Sequence, residues 1–159
     1  MSMHTAAALE DSIELDAPPS TVWAAVSDPR RMPEWSPQVT SVRLRHGAEV
    51  VELGTEFTNR NKYGELEWTT RAKVVRFEVE KEMAFRIEDN WVIWSFALAP
   101  LPDGRTLLTQ RREVPDGISD LSYELSEGFM GGVDSYTEIQ RAGMRETLEA
   151  IRGTVESAT

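Results

Sequence analysis

Residues 65–78 read Glu65-Leu66-Glu67-Trp68-Thr69-Thr70-Arg71-Ala72-Lys73-Val74-Val75-Arg76-Phe77-Glu78. Successive side chains of an extended chain point to opposite faces, so Leu66, Trp68, Thr70, Ala72 and Val74 share one face. Glu65, Glu67, Thr69, Arg71 and Lys73 take the other, which makes this a strand with one side toward the interior. The same pattern recurs around it, at Val39 to Arg45, Thr55 to Arg60, Glu82 to Ile87, Trp91 to Ala99 and Arg105 to Val114. Between these runs lie His46-Gly47, Tyr63-Gly64, Asp89-Asn90 and Pro102-Asp103-Gly104, all turn-forming combinations. Links this short favour antiparallel hairpins over helical crossovers, so the middle of the chain reads as a meander.

Outward from the meander the period changes. On the N-terminal side, Ser12-Ile13-Glu14-Leu15-Asp16 alternates as a further strand, and Pro18-Pro19-Ser20 opens a short helix with Val22 and Val26 on one face and Trp23 alongside. Asp28-Pro29 closes that helix, because the residue before a proline leaves the helical region. Pro33-Glu34-Trp35-Ser36-Pro37 is a proline-bracketed turn that carries an aromatic. On the C-terminal side, Ile118, Leu121, Leu125, Phe129, Gly132, Tyr136, Ile139, Gly143, Met144, Leu148, Ile151 and Val155 recur at spacings of three and four, which predicts a long helix against a sheet. Gly131-Gly132 should weaken or kink it, at ~1 kcal/mol per interior glycine relative to alanine. Its outer face, Glu138, Arg141, Arg145, Glu149, Arg152 and Glu156, reads as a solvated stripe. No repeat or low-complexity linker appears, so a flexible tail over 1–10 and one domain over 11–156 are expected.

The 159 residues include 27 acidic and 17 basic side chains, a formal charge of -10. From Glu113 onward there are ten acids and three arginines, net -7, which locates most of that charge in the last third. An acidic surface without a Lys/Arg run does not suit nucleic acid or an anionic membrane. The apolar stretch Trp91 to Leu98 is interrupted by Ser95 and is too short to span a bilayer, so no membrane insertion is expected. Met1-Ser2-Met3-His4-Thr5 lacks a signal layout, and the expected location is cytoplasmic. With no cysteine there is no disulfide, thiol nucleophile or Cys-ligated metal, and His4 and His46 are the only histidines. Neither a metal site nor a Ser-His-Asp triad is supported, and no phosphate-cradling glycine motif is present, so no cofactor is expected. Trp, Tyr, Arg, Asp/Glu, Ser/Thr and a shaped cavity remain as the working groups.

The order of strand, two short helices, six antiparallel strands and one long helix has a physical consequence. A curved sheet wrapped around a single helix does not fill its own interior and encloses a cavity. Asp11-Ser12-Ile13-Glu14-Leu15-Asp16-Ala17-Pro18, Val22-Trp23, Asp28, Pro33-Glu34-Trp35, Trp94-Ser95-Phe96-Ala97-Leu98-Ala99-Pro100 and Gly104-Arg105-Thr106 resemble the START-related polyketide cyclase/dehydratase-like proteins. The resemblance spans about Asp11 to Arg152. It implies an α+β helix-grip fold, shared with the birch-pollen allergen, with about seven strands curved around a long C-terminal helix. It also implies an internal pocket for a hydrophobic or aromatic small molecule, lipid- or polyketide-like. Members include aromatase/cyclases acting on carrier-bound poly-β-ketone chains, and ligand-binding and transport proteins.

In aromatase/cyclases a similar strand carries Trp-x-Ser-x-Arg toward the pocket, and the corresponding run here is Trp68-Thr69-Thr70-Arg71-Ala72. Trp68 matches and Thr70 keeps a hydroxyl, but Ala72 holds the arginine position and Arg71 points outward. Cyclase chemistry then needs another cation in the pocket. On the strand from Trp91, Val92, Trp94, Phe96 and Leu98 form the expected inward face, and Trp94 and Phe96 either stack on a planar ligand or are plain core. Trp35 is expected as a lid or rim, and Phe85, Phe129, Met130 and Tyr136 as further lining candidates. Arg111 and Arg112 face opposite ways. If Leu108, Gln110, Arg112 and Val114 point inward, Gln110 and Arg112 bring polar groups to the cavity; the alternative parity puts Leu107 and Thr109 inside. A buried Arg112 needs a carboxylate such as Glu56 or Glu113, or an anionic or carbonyl-rich ligand. Tyr63, Tyr123 and Tyr136 supply phenols.

Three functions follow as expectations. The first is binding of a small hydrophobic or aromatic molecule in a cavity walled by Trp68, Trp94 and Phe96 and closed by the long helix. A second is an aromatase/cyclase or dehydratase acting on a polyketide intermediate, with Thr70, Arg112 and a tyrosine such as Tyr123 converging as catalytic groups. The third is a protein-interaction or regulatory module that uses the acidic helix. A carrier protein or a second copy of the chain are the macromolecular partners considered, and carrier docking would use a basic patch of Arg30, Arg31, Arg43 and Arg45.

Overall fold

In the computed structural model, which describes residues 8–116 and 133–157, the alternation of residues 66–74 becomes a strand with two unlike faces. Thr70, Ala72 and Val74 are buried while Glu67, Thr69, Arg71 and Lys73 are exposed. Seven strands form, β1 (Leu9–Leu15), β2 (Val39–Leu44), β3 (Glu56–Tyr63), β4 (Leu66–Glu78), β5 (Glu82–Ile87), β6 (Ile93–Pro100) and β7 (Thr106–Glu113). They make one antiparallel sheet in the order β1-β7-β6-β5-β4-β3-β2. A helix α1 (Pro19–Val26) and a 3₁₀ helix (Pro29–Glu34) follow β1, and α2 (Val133–Ser157) lies at the C-terminal end. This is the α+β helix-grip arrangement that the motifs imply.

Local chemistry accounts for the elements. Pro19 starts α1 at the position where its missing N–H costs nothing. The Asp28 carboxylate accepts the Arg30 backbone N–H at 2.9 Å and caps the 3₁₀ helix, so the proline-bracketed segment begins as a second short helix. Gly64 at φ +61 supplies the left-handed residue of the two-residue loop between the paired Tyr63 and Leu66. Register shifts between Val74 and Arg76 in β4 and between Val39 and Ser41 in β2 bend the sheet.

Two boundaries differ from the sequence expectation. β1 begins at Leu9, inside the stretch expected to be a tail, because Leu9 is 3% exposed and pairs with Arg112 across the ladder. β3 continues past Arg60 to Tyr63, since Asn61 and Lys62 find ladder partners in Trp68 and Glu67 that override their turn preference.

At one end of the concave face the core is solid. Ile13, Leu15, Val22, Val26, Leu98 and Leu108 from strands and α1 meet Leu148, Ile151 and Val155 of α2, all buried. A second apolar cluster, including Phe57, Ala72, Val74, Met83 and Phe85, lines β3 to β5. Trp23 packs against both and meets Phe77 edge-on at 5.2 Å. Residues 118–132 of the expected long helix, with the Gly131-Gly132 pair, lie outside the described residues.

The outer stripe of α2 is more than solvated surface. Arg145 reaches the Asp11 carboxylate at 2.6 Å and the Ser12 carbonyl at 3.0 Å, and Arg152 donates to the Glu14 carbonyl at 3.3 Å. Glu156 accepts the Asp16 backbone N–H at 2.9 Å. No helix among the described residues is long and apolar enough to cross a membrane.

Candidate functional site

At the other end of the concave face the side chains do not close on one another, and a cavity of about 140 Å³ remains between sheet and helix. Its floor comes from alternating positions on four neighbouring strands: Asn59 and Asn61 of β3, Trp68 and Thr70 of β4, Phe85 and Ile87 of β5, and Trp94 and Phe96 of β6. Gln110 of β7 adds one wall, and the segment Met32 to Val39 another, with Asn90 in the turn before β6. The α2 residues Ile139, Gln140, Gly143, Met144 and Thr147 form the roof. A Cβ on Gly143 would sit 3.4 Å from Pro37 Cγ, in van der Waals contact, which places this turn of the helix against Pro37.

Among the described residues this lining carries no charged side chain. Its polarity is that of carboxamides and hydroxyls: Gln38, Asn59, Asn61, Asn90, Gln110, Gln140, Ser36, Thr70 and Thr147. Three of these form a cluster fixed by strand pairing, since Asn59 stands opposite Thr70 and Asn61 opposite Trp68. Asn61 Nδ2 donates to Thr70 Oγ1 at 3.1 Å and to the Trp68 carbonyl at 3.4 Å, and Asn59 Nδ2 lies 3.5 Å from the same hydroxyl. Asn59 Oδ1, Gln110 Oε1, Gln140 Oε1 and Trp35 Nε1 are buried without a hydrogen-bond partner.

Most of the expected lining residues meet in this space. Trp68, Thr70, Phe85, Trp94, Phe96 and Gln110 all line it, as does Trp35. The expectation of a lid or rim at Trp35 is corrected: its side chain is 5% exposed and is part of the core wall. Behind it the Arg31 guanidinium lies 5.2 Å from the ring centroid. Glu34 accepts from that guanidinium at 2.9 Å, and this hydrogen bond raises the Arg31 pKa and lowers that of Glu34.

Arg112 is the main correction. Its inward parity with Leu108 and Gln110 holds, and it is 5% exposed, but it does not line the cavity. It lies one inward position beyond Gln110, flanked across the ladders by Leu9 and Trp94. Tyr63 is also away from the lining. Tyr123, Phe129, Met130 and the Tyr136 side chain lie outside the described residues. Among the described residues, therefore, the convergence of Thr70, Arg112 and a tyrosine does not form. Glu113, named as a partner for Arg112, instead pairs with Arg76 on the outer face. The expected basic patch is largely neutralised, with Arg30 on Asp28 at 2.9 Å, Arg31 on Glu34 at 2.9 Å and Arg45 on Glu56 at 3.7 Å.

Sequence reading missed Asn59, Asn61, Gln140 and Thr147. The two asparagines had a usable signal, because they share the parity of Phe57 in a strand whose other face is Thr58, Arg60 and Lys62. Among the described residues no group of three or more His, Asp or Glu is arranged to hold a metal ion.

A family model described as polyketide cyclase / dehydrase and lipid transport matches residues 6–156. No curated protein matches the chain. Among solved structures, a Polyketide_cyc-like protein from Corynebacterium glutamicum is 32% identical, with 94% of this chain and 91% of that one covered at a TM-score of 0.60. The Zhui aromatase/cyclase from Streptomyces sp. R1128 is 13% identical over 94% and 93% of the two chains, with a TM-score of 0.74. A START superfamily protein from Mycobacterium smegmatis is 13% identical over 96% and 99%, with a TM-score of 0.72. The last two likenesses are likenesses of fold.

Proposed function

Since the chain belongs to the polyketide cyclase / dehydrase and lipid transport family, we propose that it binds a small, uncharged aromatic molecule in the cavity between sheet and long helix. The observation that carries this reading is the lining itself: Trp35, Trp68, Phe85, Trp94 and Phe96 with neutral polar groups between them, and no charged side chain among the described residues. Aromatic faces favour flat ligands through offset or edge contacts. An ionised ligand would leave water without a counter-charge in this lining, at a cost of several kcal/mol.

Size sharpens the reading. A cavity of about 140 Å³ is close to the roughly 150 Å³ void that accepts benzene in an engineered protein interior. One ring, or one ring of a larger molecule that extends through the opening, suits this volume.

Cyclisation or dehydration of a polyketide intermediate is the second reading, favoured by the likeness to the Zhui aromatase/cyclase and by the Thr70 hydroxyl beside Trp68. Under it, Thr70, Asn59 and Asn61 would orient carbonyl oxygens by hydrogen bonds. The described lining offers positioning, with no side chain that takes or gives a proton near neutral pH.

Ligand-observed NMR with a panel of one- and two-ring arenes, each as the neutral form and as its carboxylate, tests the proposal. Neutral members should bind and carboxylates should not, and Trp68→Ala should weaken the neutral members roughly 3- to 10-fold. Equal binding of both forms, or binding indifferent to Trp68→Ala, would sink it. Conversion of a bound polyketone to a cyclised product would move the assignment to the second reading.

A further inference from the structure

Apolar side chains scattered singly over a protein surface need no explanation. Here they are gathered. The exposed large hydrophobic side chains among the described residues are Val50, Leu53, Val75 and Val79. This surface shares no residue with the cavity lining, so arene binding there stands or falls separately.

Backbone hydrogen bonds fix two turns that carry these side chains. In the first, the Thr55 N–H donates to the Glu52 carbonyl at 3.1 Å, and Gly54 at φ +89 is the left-handed residue. The Glu52 N–H donates to Thr55 Oγ1 at 2.9 Å. The turn is pinned to β4: the Gly54 N–H donates to the Val74 carbonyl and the Val74 N–H to the Thr55 carbonyl, both at 2.9 Å. The Leu53–Gly54 peptide therefore faces the Val74–Val75 peptide. In the second turn the Lys81 N–H donates to the Glu78 carbonyl at 2.9 Å, and Glu80 at φ +61 is left-handed. Val79 thus holds the same place in its turn as Leu53, the first of the two central residues. At ~3.3 Å per residue, it lies no more than about 13 Å along the chain from Val75. That place in a turn accepts polar residues freely, so the turns themselves do not ask for an aliphatic. Val51 and Phe77 pack onto the second apolar cluster and anchor both segments from within.

The charge around these tips has one dominant sign. Segments 49–54 and 78–82 carry Glu49, Glu52, Glu78, Glu80 and Glu82 against the single Lys81. Lys81 lies 3.8 Å from Glu78, and Glu82 faces Arg76 at 3.7 Å. Glu49, Glu52 and Glu80 are exposed and make no ion pair among the described residues. Arg30 donates to the Glu49 carbonyl at 3.3 Å, but its charge is held by Asp28, and Arg45 and His46 both lie against Glu56. Lys73, exposed two residues before Val75, is the exception.

We propose that the two turns and Val75 form a docking surface for a basic amphipathic segment of another protein, aliphatic on one face with lysine or arginine beside it. Charge complementarity decides the occupant. A second copy of this chain, joined symmetrically through the same surface, would set Glu49, Glu52, Glu78 and Glu80 close to their counterparts. An anionic membrane meets the same repulsion. A basic segment relieves it and covers the leucine and the valines.

The probe is a fluorescein-labelled amphipathic peptide of leucine and lysine, titrated with the full chain by fluorescence anisotropy beside a leucine–glutamate counterpart. The lysine peptide should bind, with affinity falling as salt rises, and the glutamate peptide should not. Leu53→Ser and Val79→Ser should each weaken the lysine peptide roughly 3- to 10-fold. Glu49→Gln with Glu52→Gln should weaken it and flatten the salt dependence. Glu138→Gln with Glu146→Gln removes the same charge from exposed positions of α2 and should leave the affinity within about twofold. Thermal melts establish that each variant is folded; Leu53 and Val79 are exposed enough that serine removes little native packing. Equal losses from the two charge-removing pairs, or affinity indifferent to both serine substitutions, mean that the peptide follows net charge alone and overturn the proposal. Binding of the glutamate peptide, or no binding of the lysine peptide, overturns it as well. Sedimentation velocity that shows dimers broken by Leu53→Ser gives the surface to a second copy, and co-sedimentation with phosphatidylcholine vesicles that Leu53→Ser abolishes gives it to a membrane; either result overturns the proposal.

Discussion

The two ends of the concave face are built from the same sheet and the same helix, yet they do different things. Toward the C-terminal end of α2, Leu148, Ile151 and Val155 meet Leu15, Val22, Val26 and Leu108 with 0–2% exposure throughout. Toward Ile139 and Gln140 the helix faces Asn59, Asn61, Thr70 and Gln110 across open space. The backbone geometry is continuous between them, so the contrast comes from side chains. Branched aliphatics interlock at one end, whereas flat rings and short amides cannot fill the span at the other. The closed end holds the helix on the sheet; the open end is left available for a ligand.

The sharpest way to break this contrast is to cut at the closed end. Leu148→Ala, at 0% exposure, should cost about 2–5 kcal/mol in urea unfolding, while the folded fraction keeps its affinity for a neutral arene. Loss of binding in parallel with stability would mean the two ends are not separable. Thr70→Val is the matching cut at the open end. It removes the hydroxyl that accepts from Asn61 at 3.1 Å and should cost roughly 1–3 kcal/mol by leaving amide donors unpaired. Calorimetric melts that rank it above Leu148→Ala would reverse the comparison.

The smallest effect concerns the brace behind Trp35. Arg31 lowers the Glu34 pKa from its ordinary value of 4.5, so the folded state favours the ionised carboxylate. That contribution is fully present above the ordinary value and is lost as pH falls through the depressed folded value. Glu34→Gln should therefore remove a small part of the acid sensitivity below pH 4.5, and because the pair is exposed the change at neutral pH should stay under about 0.5 kcal/mol. Stability measured from pH 7 to pH 3 checks the sign, and a larger effect at pH 7 than this would mark the brace as part of the open end's architecture.

Much of the fold was legible because strand alternation and turn chemistry are local. Residues 66–74, the hairpin at Gly64 and the periodicity through Met144, Leu148, Ile151 and Val155 each announce their element without help from the rest of the chain. The aromatic half of the site was legible for the same reason: parity alone turns Trp68, Trp94 and Phe96 inward. Depth along a strand is a different quantity. Alternation left two parities open for the last strand, and even the one found, with Arg112 inward, does not say that the cavity stops short of it, between Leu9 and Trp94. Asn61 falls beyond Arg60, where the expected strand ends, whereas Asn59 falls within it, on the parity of Phe57. Gln140 and Thr147 acquire meaning only once α2 is laid across β3 and β7.

The contacts between α2 and β1 have a consequence for how the molecule behaves in company. β1 is an edge strand, and the backbone of Ser12, Glu14 and Asp16 faces away from β7. Arg145, Arg152 and Glu156 occupy the Ser12 carbonyl, the Glu14 carbonyl and the Asp16 N–H respectively. An incoming strand from another chain thus meets three groups of that row already engaged, and extending the sheet on that side would have to displace these contacts of the helix.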